Sequence, residues 1–66
     1  MEISLNGQPE VVREGISVAR LLAEKLPQPM RVAVEVNREI VPRSQHETRV
    51  LSAGDRVEIV RAIGGG

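Results

Sequence analysis

The chain closes on Gly64-Gly65-Gly66, and the group with the clearest chemical potential is the α-carboxylate that Gly66 would carry. Glycine has no Cβ, so three in a row can extend without side-chain width and enter a narrow channel on another protein. An α-carboxylate with a pKa near ~3.5 is an anion at neutral pH and resists nucleophilic attack. Attaching an activating group such as AMP removes that resistance. Sulfur can then displace AMP and leave a thiocarboxylate, a soft nucleophile at the end of a leash. A glycine-rich end is also the composition of an ordinary frayed terminus, so the tail alone leaves its role open.

No other constellation competes with it. His46 is the single imidazole, and its setting, Ser44-Gln45-His46-Glu47, predicts a solvated loop with no second histidine or cysteine to complete a metal site. Ser4, Ser17, Ser44 and Ser52 have local explanations as a strand face, a helix cap and turns. A serine triad would need an orienting carboxylate beside the histidine and a pocket to hold them. Asp55 belongs to a turn, where its carboxylate is expected to accept from backbone N–H groups instead of acting as a base. With no cysteine, thiolate chemistry, disulfides and iron-sulfur ligation are excluded, and cytoplasmic residence is the default.

Composition narrows the class further. At 66 residues one domain is expected, with a core too small to share space with a deep cleft. There are no aromatic residues, so Val, Ile, Leu and Ala must do the packing, and no base-stacking platform exists for nucleic acid. Nine basic and nine acidic side chains balance and are interspersed, which gives no field to attract phosphate backbones or anionic membranes. The opening MEISLNG lacks a basic segment followed by a long apolar stretch, so neither a targeting signal nor a membrane span is expected.

The elements that must position the tail are legible as periodicity. Met1, Ile3 and Leu5 alternate with polar residues as in a half-buried strand, and Asn6-Gly7 is the dipeptide best suited to a tight hairpin. The return strand is expected over about Glu10 to Glu14. A strict two-residue loop would set Glu10 opposite Ile3 on the buried face, so a longer loop with a bulge near Pro9 is expected. Ser17 is placed to cap a helix from about Val18 to Leu26, with Val18, Leu21, Leu22 and Leu26 on one face and Arg20 and Glu24 as an exposed i,i+4 pair. Pro27 and Pro29 stop it. Val32, Val34 and Val36 mark the clearest strand, Asn37 to Glu39 a turn, Ile40-Val41 a short strand limited by Pro42, and Ser44 to Thr48 a loop or one helical turn. A last strand follows Ala53-Gly54-Asp55 and runs from Arg56 to Ile63.

This order, hairpin, helix, strand, short strand, strand, predicts an α+β fold of the β-grasp type. Its mixed sheet of four to five strands would pack on one helix, with the domain over 1–63 and a flexible tail over 64–66. Ile3, Leu5, Leu21, Leu22, Val34, Val57 and Ile59 are the expected core. Val60, Ala62 and Ile63, with Ile40 and Val41, are the expected docking patch for partners, the competing assignment being ordinary core or strand packing.

The stretches Val36-Asn37-Arg38-Glu39-Ile40-Val41-Pro42-Arg43 and Gly54-Asp55-Arg56-Val57-Glu58-Ile59-Val60, the terminal glycines and the opening Ile3-Ser4-Leu5-Asn6-Gly7 resemble the thiamine-biosynthesis sulfur carrier family, ThiS. The likeness covers essentially the whole chain, although Gly64 adds a third glycine to the usual pair. It implies a ubiquitin-like β-grasp protein whose Gly66 carboxylate is adenylated by an E1-like, ATP-dependent adenylyltransferase and converted to a thiocarboxylate. The sulfur would come from a donor enzyme such as a cysteine desulfurase and pass to thiazole synthase. ATP, magnesium and zinc would belong to those partners; the chain itself would hold no cofactor, perform no catalysis, and be a monomer when free. The alternatives are a carrier for molybdenum cofactor, tRNA thiolation or cysteine synthesis, a protein-conjugating modifier, or a non-catalytic β-grasp interaction module.

Overall fold

The computed structural model describes residues 1–28 and 30–61. Strands β1 (Glu2–Leu5) and β2 (Gln8–Val11) form a hairpin, helix α1 (Val18–Lys25) follows, and β3 (Val32–Val36), β4 (Glu39–Val41), a 3-10 turn (Arg43–Gln45) and β5 (Arg56–Arg61) complete the order. The sheet runs β2-β1-β5-β3-β4. β1 and β5 lie side by side and parallel, while the other neighbours are antiparallel. This is the expected β-grasp, with all five strands present.

The hairpin differs from expectation. Asn6 and Gly7 have φ of 50° and 83°, both left-handed, which is the two-residue turn whose twist matches the flanking strands. The register is therefore strict, with Leu5 opposite Gln8 and Ile3 opposite Glu10, and there is no bulge at Pro9. Glu10 tolerates this place because β2 is the edge strand, where Lys25 in the last turn of α1 reaches its carboxylate at 2.8 Å. The strand also begins earlier than expected, at Gln8. Pro9 fits because an edge strand does not require its missing N–H.

α1 starts as its sequence demands. Ser17 Oγ accepts from Arg20 N at 3.1 Å, and Glu24 Oε2 receives both Arg20 at 3.1 Å and Arg13 at 2.6 Å. The helix ends one residue before the expected limit, where Leu26 turns extended and donates its N–H to Leu22 O at 2.9 Å. Its buried face is Val18 and Leu21. With Ile3, Val12, Ile16, Val34, Val36, Val41, Leu51 and Val57 they make the core.

Of the expected core, Ile3, Leu21, Val34 and Val57 are buried, whereas Leu5, Leu22 and Ile59 are half-buried at its margin. Leu22 lines an open groove with Ala19, Ala23, Leu26, Met30 and Val32. Aliphatic side chains alone do not close this end of the helix-sheet interface, where an aromatic ring would have supplied the missing volume. Ile16 and Leu51, on segments flanking α1 and β5, fill the opposite end, tied by Leu51 N to Ile16 O at 2.9 Å.

His46 is a correction. It is 9% exposed, not solvated, and its Nε2 lies 3.1 Å from the carbonyl oxygen of Val41. A carbonyl can only accept, so Nε2 carries the proton in this contact. The backbone carbonyl of His46 in turn accepts from Ala19 N at 2.7 Å, so this segment is pinned against the first turn of α1. A polar sequence context concealed a histidine whose ring serves as packing and whose nitrogen serves as a strut.

Candidate functional site

β5 occupies the middle of the sheet, and the chain passes from its end at Arg61 toward the glycines. Ala62, Ile63, Gly64, Gly65 and Gly66, all expected site residues, lie outside the described residues. The structure establishes how the strand leading to them is held. On one side β3 pairs with β5 from Val36 opposite Val57 to Val32 opposite Arg61. On the other side β1 pairs only at Ser4 with Arg56 and Leu5 with Val57. Past the end of β1 a side chain takes over, as Asn6 Oδ1 accepts from Ile59 N at 2.7 Å.

The start of β5 is fixed by a second asparagine. Asn37 opens the β3–β4 turn with φ of 52°, followed by Arg38 at 69°. Its Oδ1 accepts from Arg56 N at 2.9 Å and its Nδ2 donates to Asp55 Oδ1 at 3.1 Å. Asp55 Oδ2 accepts from Ser52 N at 2.8 Å, the turn-capping role read from the sequence. Both asparagines were read only as turn formers. Their left-handed backbone is legible from sequence, but their grip on a strand up to 53 residues away is not.

The docking patch divides. Strand alternation sends Val34, Val36, Val41 and Val57 into the core, so Ala33, Glu35, Ile40, Glu58 and Val60 share the opposite face of the sheet. Val60 is 54% and Ile40 72% exposed. Val41 is not part of it: at 3% exposure it points beneath the sheet, because adjacent strand residues cannot share a face. Val60 stands opposite Ala33, and Ile40 opposite Glu35. Among the described residues no group of three or more His, Cys, Asp or Glu is placed to hold a metal, and no helix is long and apolar enough to cross a membrane. The arrangement presents a strand end and, beside it, a face on which the exposed aliphatic side chains of Ile40 and Val60 stand among carboxylates.

Comparison with known proteins agrees with this geometry. The ThiS family model matches residues 2–66. The crystal structure of the thiamine biosynthesis protein ThiS from Geobacter metallireducens superposes with a TM-score of 0.85 at 36% identity, covering all of both chains. Two proteins named thiazole synthase, from Paramagnetospirillum magneticum and Magnetococcus marinus, are each 39% identical over 66 residues. The chain spans 20% of the length of each. Periodicity, strand order and the family match over nearly the full length converge, and the chain belongs to the ThiS family.

Proposed function

We propose that this chain is a sulfur carrier for thiazole formation in thiamine biosynthesis, working in the cytoplasm as a protein co-substrate instead of an enzyme. The observation that carries the reading is the full-length likeness to the Geobacter thiamine biosynthesis protein, together with a family match that runs through Gly66. In this reading the Gly66 carboxylate attacks the α-phosphorus of ATP on an E1-like adenylyltransferase, and pyrophosphate leaves. The terminal sulfur of a persulfide delivered by a donor such as a cysteine desulfurase then adds to the acyl carbon and expels AMP, and a thiol reductant cleaves the resulting acyl disulfide, leaving the thiocarboxylate and a new disulfide. The names of the two longer relatives favour thiazole synthase as the acceptor, because each contains a segment like this chain within one polypeptide.

The role of the fold is mechanical. A central strand gripped by β3, β1 and Asn6 supplies a rigid base for Gly64, Gly65 and Gly66, whose lack of side chains suits them to a narrow channel. Val60, with Ala62 and Ile63, seats the base on the enzyme. The test is ATP–pyrophosphate exchange by the adenylyltransferase with the intact chain and with Gly66 deleted. Exchange is expected only with the intact chain. Equal exchange with both would leave the β-grasp interaction-module reading in its place.

A further inference from the structure

The sheet face turned away from α1 has two carboxylates opposed near its centre. Glu35 of β3 stands directly across from Glu58 of β5. Opposed strand positions place Cβ atoms roughly 4.5 to 5.5 Å apart, and like charges there destabilise a sheet. Glu58 is partly compensated by Arg56, two residues earlier on the same face, at 3.5 Å. Glu35 takes part in none of the ion pairs among the described residues. Two of the exposed apolar side chains of this face flank the pair, Ile40 directly opposite Glu35 on β4 and Val60 one step diagonal to it on β5.

A like-charge pair that is only partly compensated and is flanked by exposed aliphatic groups is well suited to a complementary surface. A guanidinium carries N–H donors on several edges and can bond to both carboxylates at once, which an ammonium does less well. We propose that this face docks on an apolar partner surface from which one arginine projects, its guanidinium seating between Glu35 and Glu58 while Ile40 and Val60 pack around it. The inference rests on the carrier reading for the choice of partners. Val60 lies one residue before Arg61, so the same docking brings the end of β5 to the partner that holds the arginine.

The experiment measures binding of the adenylyltransferase and the thiazole synthase of the same organism by calorimetry at two salt concentrations, with thermal melts of each variant. Glu35→Gln is expected to weaken binding to at least one enzyme by about tenfold and to flatten its salt dependence, because a desolvated charge pair is lost. Glu35→Lys is expected to abolish that binding while raising the melting temperature, since the lysine would pair with Glu58 where glutamate repelled it. Wild-type affinity of both variants for both enzymes would overturn the docking mode and leave the carrier reading intact. Failure of the unmodified chain to bind either enzyme would overturn the carrier reading, and this inference with it. Glu35→Gln is nearly isosteric and on an open face, so it carries the test even if the lysine variant folds poorly.

Discussion

Leu21 and Leu22 are adjacent and chemically identical, and truncating each to alanine should have sharply different consequences. Leu21 is 0% exposed and packs in the centre of the core, while Leu22 borders the open groove at the end of α1. Leu21→Ala removes three carbons, worth about 2.4 kcal/mol at ~0.8 kcal/mol each, and adds a cavity term that brings the loss to roughly 3 to 5 kcal/mol. Leu22→Ala loses about half of that transfer energy and leaves no closed cavity, so about 1 kcal/mol is expected. A domain of 66 residues has roughly 3 to 10 kcal/mol in all, so the first variant should be close to unfolding and the second should melt only about 4 to 8 °C lower. With no aromatic residue to report by fluorescence, far-UV circular dichroism in urea is the assay. Equal losses, or a larger loss at Leu22, would show that the helix face against the sheet has been assigned wrongly.

Asn6→Ala should cost about 1 to 2 kcal/mol by leaving the N–H of Ile59 without its partner, and amide hydrogen exchange should quicken at Ile59 before it does at Val57. His46→Ala should lower stability by about 1 to 3 kcal/mol through loss of the buried ring and of its bond to the Val41 carbonyl, while sulfur transfer by the folded fraction stays unchanged; a loss of transfer without a loss of stability would make His46 a functional residue. Val60→Ser should weaken enzyme binding several-fold with little change in melting temperature, and a folded variant that binds normally would remove Val60 from the interface. Gly65→Val should block adenylation by width and restricted φ without moving the melting curve, since glycine has no side chain to withdraw from a core.

Much of the fold was legible because it rests on local chemistry. Asn6-Gly7 forces a hairpin, Ser17 caps a helix, and Val32, Val34 and Val36 alternate without interruption. The failures share one cause, which is that tertiary neighbours overrule local pattern. Glu10 looked wrong opposite Ile3 until Lys25 arrived from the helix, and His46 looked solvated until Val41 and Ala19 closed around it. Ile40 and Val41 looked like one patch, but the strand that contains them sends one to each face. Ile16 and Leu51 carry no periodic signal, since each sits alone in a connecting segment. The proposed docking face was half legible. Val60 was readable as an exposed aliphatic near the tail, whereas the opposition of Glu35 and Glu58 depends on a register between residues 23 positions apart, which a single sequence does not encode locally.

The central claim is that Gly66 accepts sulfur, and intact-protein mass spectrometry tests it most directly. The chain is incubated with ATP, magnesium, the adenylyltransferase and a sulfur donor, then weighed. The carrier account predicts a mass increase equal to one oxygen replaced by sulfur, confined to the C-terminal fragment and absent when ATP is withheld. An unchanged mass with an adenylyltransferase shown to be active on another carrier would contradict it.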